Sequence, residues 1–86
     1  MENILTHNLM RYFKSFLSEE RKKRSLSQAE LSERCGLSRQ TISLFESGKR
    51  MPTLLSLFHL SKGLSISSVK FLSLLVKKIE LSEHGK

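Results

Sequence analysis

The tightest constraint in this sequence is the spacing of helix starts and stops between Ser27 and Gly48. Ser27-Gln28-Ala29-Glu30 has the form of a capping box. The serine oxygen takes an orphan N–H of a new helix, and the glutamate three residues on reaches back to the serine's own N–H. Gly36 then supplies a stop, because the positive φ angle that ends a helix is cheap only for glycine. Ser38 follows two residues later as a second cap, and Gly48 ends the segment it opens. The pattern predicts two short helices joined by a tight glycine turn. The first runs from about Gln28 to Cys35 and buries Ala29, Leu31 and Cys35.

The rest of the chain adds helices and no strand pattern. Leu5, Leu9, Phe13, Phe16 and Leu17 recur at helical spacing and give helix one an inward stripe, ending near Arg24. Met51-Pro52-Thr53 breaks the chain again. Thr53 caps a fourth helix over about Leu54 to Leu64, and Ser67 a fifth over about Ser68 to Leu81. The tail from Ser82 to Lys86 is polar and expected to fray. With 86 residues and 38% apolar composition, residues 1–86 are expected to form a single domain, an all-α compact five-helix bundle. Its core is small, and chains of this size often gain stability by oligomerising. One cysteine, Cys35, excludes an internal disulfide framework and points to a reducing compartment. The N-terminus lacks the pattern of a leader, and no run approaches the roughly 18 apolar residues of a membrane span. A cytoplasmic location without membrane contact is therefore expected.

Fifteen Lys and Arg against eight Asp and Glu leave a formal charge of +7, which favours a polyanionic partner. Placing the residues after Ser38 at 100° steps puts Ile42 and Phe45 together, facing the core. Gln40, Ser43, Leu44 and Ser47 point oppositely, with Arg39 beside them at the exposed N-terminal end. Arginine pairs with guanine O6 and N7 and glutamine with adenine N6 and N7, while Leu44 offers a methyl contact to thymine. Two short helices, a glycine turn and a basic all-helical setting match the plan of a helix-turn-helix over residues 27–48.

The run LSQAELSERCGLSRQTISLFESGKRMP, Leu26 to Pro52, resembles the Cro and lambdoid-phage-repressor family of helix-turn-helix proteins, often called the Xre family. The likeness continues more weakly through LLSLFHLSKGLSIS to about Leu72. It implies a lambda-repressor-like DNA-binding domain and a transcriptional regulator, by default a repressor, of bacterial or phage type. By matched position, Gln28 is a phosphate contact, and Ser38 a cap that touches backbone or base. Arg39, Gln40, Ser43 and Leu44 form the base-reading face, and Lys49 and Arg50 grip phosphate. Arg21 and Glu46 match an ion pair that ties helix one to the recognition helix. Three positions depart from the pattern: Leu44 is often polar in the family, Ser65 stands where glycine is common, and Glu20 replaces an apolar residue. The antitoxin of a toxin–antitoxin pair and the controller of a restriction–modification operon share this size and motif. An alternative of another class is a protein-interaction adaptor on the same scaffold.

Other features have plainer readings. Arg21 to Arg24 is a phosphate grip or simply a solvated helix end, its cations near the negative end of the helix dipole. Cys35 reads as a small core residue rather than a redox switch. His7, His59 and His84 are scattered, with no metal-ligand spacing. No nucleophile or paired-carboxylate pattern stands out, so neither an enzyme nor a cofactor is expected. In the fifth helix Val69, Leu72, Val76 and Ile79 form one stripe, widened by Phe71, Leu74 and Leu75. This exceeds what a helix packed only on its own core needs. Val69, Leu72, Leu75, Val76 and Ile79 are read as dimer contacts, the alternative being a helix sunk between helices one and four.

Overall fold

Hydroxyl caps and left-handed stops set the helix boundaries. The structure, a computed structural model, describes the backbone of residues 2–84 and the side chains of residues 8–82. Five helices follow in order: α1 (Glu2–Lys23), α2 (Gln28–Cys35), α3 (Arg39–Glu46), α4 (Leu54–Gly63) and α5 (Ser68–His84). Ser27 forms the complete capping box with Glu30. Ser38 and Thr53 accept from the N–H groups of Thr41 and Ser56, and Ser67 from that of Lys70. Helix five runs three residues beyond the expected Leu81, so Ser82 belongs to it; residues 85 and 86 lie outside the described residues, as do the side chains of Leu5, His7 and His84.

Three helices end alike. After α3, the Lys49 N–H reaches the Leu44 carbonyl and the Gly48 N–H the Phe45 carbonyl, a Schellman turn with Gly48 at φ +76°. Ser25 and Ser65 play the same part after α1 and α4, at φ +57° and +62°. Ser65 thus keeps the turn that glycine would make more easily, at a cost of about 1 kcal/mol against glycine.

The core gathers one face from every helix: Phe13, Phe16 and Leu17 of α1, Leu31 and Cys35 of α2, Ile42 and Phe45 of α3, Leu60 of α4 and Phe71 of α5, with Leu26 and Leu64 from the connections. Phe13 meets Phe45 edge-on at 5.8 Å, and Phe16 meets Phe71 at 5.3 Å. Ala29 is exposed rather than buried. Two residues before Leu31 on an eight-residue helix, it lies about 140° round from the Leu31–Cys35 face. Cys35 is buried, and burial raises its thiol pKa above the ordinary value. Among the described residues no helix is long and apolar enough to cross a membrane.

Glu20, the charged departure in helix one, is buried among its own cations. Its carboxylate accepts from Arg24 at 2.8 Å and Lys23 at 3.1 Å. Arg24 also donates to the Leu64 carbonyl at 3.0 Å, tying the end of α1 to the end of α4. Burial pushes the Glu20 pKa up, but hydrogen bonds and charge from Arg24 and Lys23 outweigh it, and the net shift is downward. A lowered folded pKa means the contribution is complete above the ordinary value of 4.5 and lost as pH falls through the folded value. The stability gap between the native protein and Glu20→Gln should therefore narrow in urea titrations as pH drops below 4.5. A gap independent of pH would show that Glu20 contributes no ionic stabilisation.

Candidate nucleic-acid interface

The third helix is amphipathic in the sense its sequence demands. Ile42 and Phe45 are at most 1% exposed, whereas Arg39, Gln40 and Ser43 are exposed. Leu44 is half-buried, so it presents only part of its side chain outward. No acidic residue occupies the first turn of α3, leaving the positive end of its dipole unopposed. Ser38 caps this helix, and its hydroxyl proton goes to Thr41 Oγ1 at 2.8 Å. Its oxygen also accepts the Thr41 N–H at 3.0 Å. Capping is its observed work.

The turn before α3 is fixed from both sides. Gly36 adopts φ +80°, and its N–H reaches the Ser32 carbonyl. The Ser32 hydroxyl donates to the Leu37 carbonyl at 2.6 Å, closing the corner. Leu37 packs against the core, so the angle between α2 and α3 is set by burial as well as by backbone conformation.

A buried polar cluster sets α3 against α1. Arg21 Nε and Nη2 donate to the two carboxylate oxygens of Glu46 at 2.8 and 2.9 Å, a bidentate pair. The remaining Arg21 terminal nitrogen donates to the Leu26 carbonyl at 2.7 Å. The bonds to Glu46 hold the Arg21 pKa above its ordinary value against the opposing effect of burial. Gln28 joins the cluster, its amide donating to Glu46 at 3.1 Å. The first residue of α2 is thereby brought to the last turn of α3, beside the loop that carries Lys49 and Arg50.

Charge is distributed unevenly between structural and unpaired cations. Arg21, Lys23, Arg24 and Lys78 form ion pairs with carboxylates. Arg39, Lys49 and Arg50 are exposed and pair with no described residue. The basic run at the end of α1 is thus divided: Arg21, Lys23 and Arg24 serve the fold, and Lys22 is left exposed. The resemblance set Arg21 apart, but sequence reasoning did not divide Lys22 to Arg24, because the Leu64 carbonyl that holds Arg24 lies 40 residues away.

The apolar surface falls on two helices. In α5, Phe71 is fully buried, and Leu74 and Leu75 pack against the core, so Leu75 belongs partly to the fold. Val69 and Val76 are 77% and 49% exposed and line a shallow groove with Leu72, Ser73, Lys77 and Glu80. Ile79 is half-buried. Helix five is therefore not sunk on all sides. Sequence reasoning missed a second set, Leu54, Leu55 and Phe58 of α4, each exposed by 45% or more. The alternation-free run LLSLFHL hid it, since periodicity cannot pick an outward face when nearly every position is apolar. Among the described residues no group of His, Cys, Asp and Glu has metal-binding geometry.

Known proteins share this arrangement. A family model described as helix-turn-helix matches residues 17–71. An uncharacterized HTH-type transcriptional regulator of Sinorhizobium fredii is 36% identical over 53 residues, spanning 62% of this chain and 69% of the relative. A second, from Methanothermobacter thermautotrophicus, is 37% identical over 51 residues, 59% of this chain and 74% of its own. Among solved structures, the restriction-modification controller protein C.Esp1396I, a tetramer in complex with its natural 35 base-pair operator, aligns with a TM-score of 0.76 at 31% identity. That alignment covers 83% of this chain and 93% of the other. The controller protein C.AhdI from Aeromonas hydrophila aligns with a TM-score of 0.67 at 29% identity, over 72% and 94% of the two chains.

Proposed function

The chain belongs to the Cro/C1-type, Xre-like helix-turn-helix family, and from that premise we propose that it is a sequence-specific transcriptional regulator of double-stranded DNA. The observation that carries the reading is α3 itself: a buried Ile42–Phe45 face backed by exposed Arg39, Gln40 and Ser43. In this reading α3 enters the major groove, where Arg39 and Gln40 read base edges, assisted by Ser43 and the exposed part of Leu44. Gln28, at the start of α2, and Lys49 and Arg50, after α3, grip phosphates and fix the docking angle. Ser38 holds the start of the recognition helix. The protein works by occupancy in the cytoplasm, as one DNA-binding domain with no reaction of its own, and represses by covering a promoter.

A homodimer completes the reading. Val69 and Val76 are the exposed part of the α5 stripe, with half-buried Leu72, Leu75 and Ile79 at its border, and a second copy would cover them. Two recognition helices related by a two-fold axis would read half-sites about 34 Å apart. The operator-bound controller tetramer of the same fold supports both DNA binding and self-association.

Selection from random duplexes at about 0.15 M salt tests this directly. An enriched two-fold symmetric site is expected. Arg39→Ala or Gln40→Ala should weaken it by about 1–3 kcal/mol while melting is unchanged. The exposed Leu54, Leu55 and Phe58 favour a second reading, an adaptor that binds a protein through α4. Selection without enrichment, and variants at Arg39 that bind as the native protein does, would replace the first reading by the second.

A further inference from the structure

The recognition helix is not the only element that brings exposed cations to the loop after it. Helix α1 begins at Glu2, well ahead of residue 17 where the family match starts, and its middle turns, Met10 to Lys14, lie beside the end of α3. A groove of about 220 Å³ opens there, lined by Met10, Arg11 and Lys14 of α1 and by Ser47 and Gly48. Arg11 and Lys14 are exposed, three residues apart on one helix face, and neither forms an ion pair with a described residue.

Their placement is tied to the turn. A Cβ on Gly48 would lie 3.0 Å from Lys14 Cδ, so the lysine stem lies over the one residue of that turn that has no side chain. Gly48 is followed at once by Lys49 and Arg50, both exposed. The Ser47 hydroxyl donates to the Leu44 carbonyl at 3.1 Å, and the Gly48 and Lys49 N–H groups close the Schellman turn. An anion in the groove would therefore be held by Arg11 and Lys14 rather than by the backbone. Arg11 also sits 5.4 Å from the Tyr12 ring centroid, a contact that restrains its guanidinium without neutralising it.

We propose that Arg11 and Lys14 bind backbone phosphates of the duplex and extend the Lys49–Arg50 grip onto the middle of α1. This rests on the DNA-binding reading above. Such contacts add affinity without sequence information, because phosphate is the same at every step.

The test is the salt dependence of binding to a mixed-sequence duplex, with R11Q/K14Q, which removes both charges but keeps polar side chains, set against K62Q/K70Q, which removes equal charge away from the groove. The slope of log K against log salt should become shallower by about 1 for each phosphate no longer neutralised, about 2 per protomer for R11Q/K14Q. K62Q/K70Q should keep the native slope, and the preference for the selected site over mixed sequence should be the same in all three proteins. A native protein with no salt-dependent duplex binding overturns the regulator reading and this proposal with it. Native binding with an unchanged slope in R11Q/K14Q overturns the proposal alone. An equally shallow slope in K62Q/K70Q also overturns it, since diffuse charge would then account for the effect.

Discussion

Glu46→Ala is expected to destabilise the protein by about 3–5 kcal/mol, because it leaves a desolvated guanidinium without its counter-charge. The Arg21 and Glu46 side chains are only 11% and 7% exposed, so water cannot take the place of the missing carboxylate. Arg21 would retain the Leu26 carbonyl alone, and Gln28 would lose its acceptor. For a domain whose total stability is on the order of 5–10 kcal/mol, that is a large share. Thermal or urea unfolding measures it.

The size of that effect is not the worth of the pair. Exchanging both partners for apolar residues, Arg21→Met with Glu46→Leu, removes the desolvation of two charges together and should recover most of the stability. What should not return is the placement of α3. In the native protein, two parallel N–H···O bonds and the Gln28 bond fix the last turn of the recognition helix against α1 and α2. The double variant should therefore melt near the native temperature yet bind the selected site more weakly. Native-like binding by a well-folded double variant would show that packing alone sets the helix.

Gly63→Ala is expected to cost about 3 kcal/mol or more, although alanine is the better helix former by about 1 kcal/mol. Gly63 is the last residue of α4, and it lies against Leu31 and Cys35 of α2. A Cβ there would lie 2.6 Å from Cys35 Cβ, 2.9 Å from Leu31 Cδ1 and 3.1 Å from the Cys35 backbone nitrogen. The Leu31 methyl can turn aside. The backbone nitrogen and Cβ of Cys35 cannot, so the two helices must separate and open the core around Leu31 and Leu60. Lower unfolding temperature and faster reaction of the Cys35 thiol with a labelling reagent would report that opening. Unchanged stability would mean that the α2–α4 packing yields at no cost.

Gly36 is a useful contrast. It too has a special role, but from φ +80° and not from crowding, since the nearest atom to an added Cβ is His59 Nδ1 at an ordinary 3.9 Å. That role was legible, because a glycine just after a capped apolar segment announces a left-handed stop. The role of Gly63 was not, because nothing in a run of leucines and serines says which helix will lie against it.

The same division runs through the candidate interface. The sequence by itself determined the caps at Ser27, Ser38 and Thr53, the Gly36 corner and the opposed faces of α3. Each of these depends on groups within about four residues of one another, the reach of a helical turn. The tertiary structure decided which basic residues meet groups distant in the sequence. Arg24, beyond its bond to Glu20, is held by a carbonyl of Leu64, while Arg11 and Lys14, beside Gly48, form no ion pair with a described residue. It also decided that Glu20 is buried with its cations, that Ser65 takes a glycine-like turn, and that α4 turns three large apolar side chains to the surface. The physical reason is range. Capping, periodicity and ion pairs within one helical turn are local and are written in neighbouring residues, whereas long-range pairing, close approach and exposure depend on chain segments that meet only after folding.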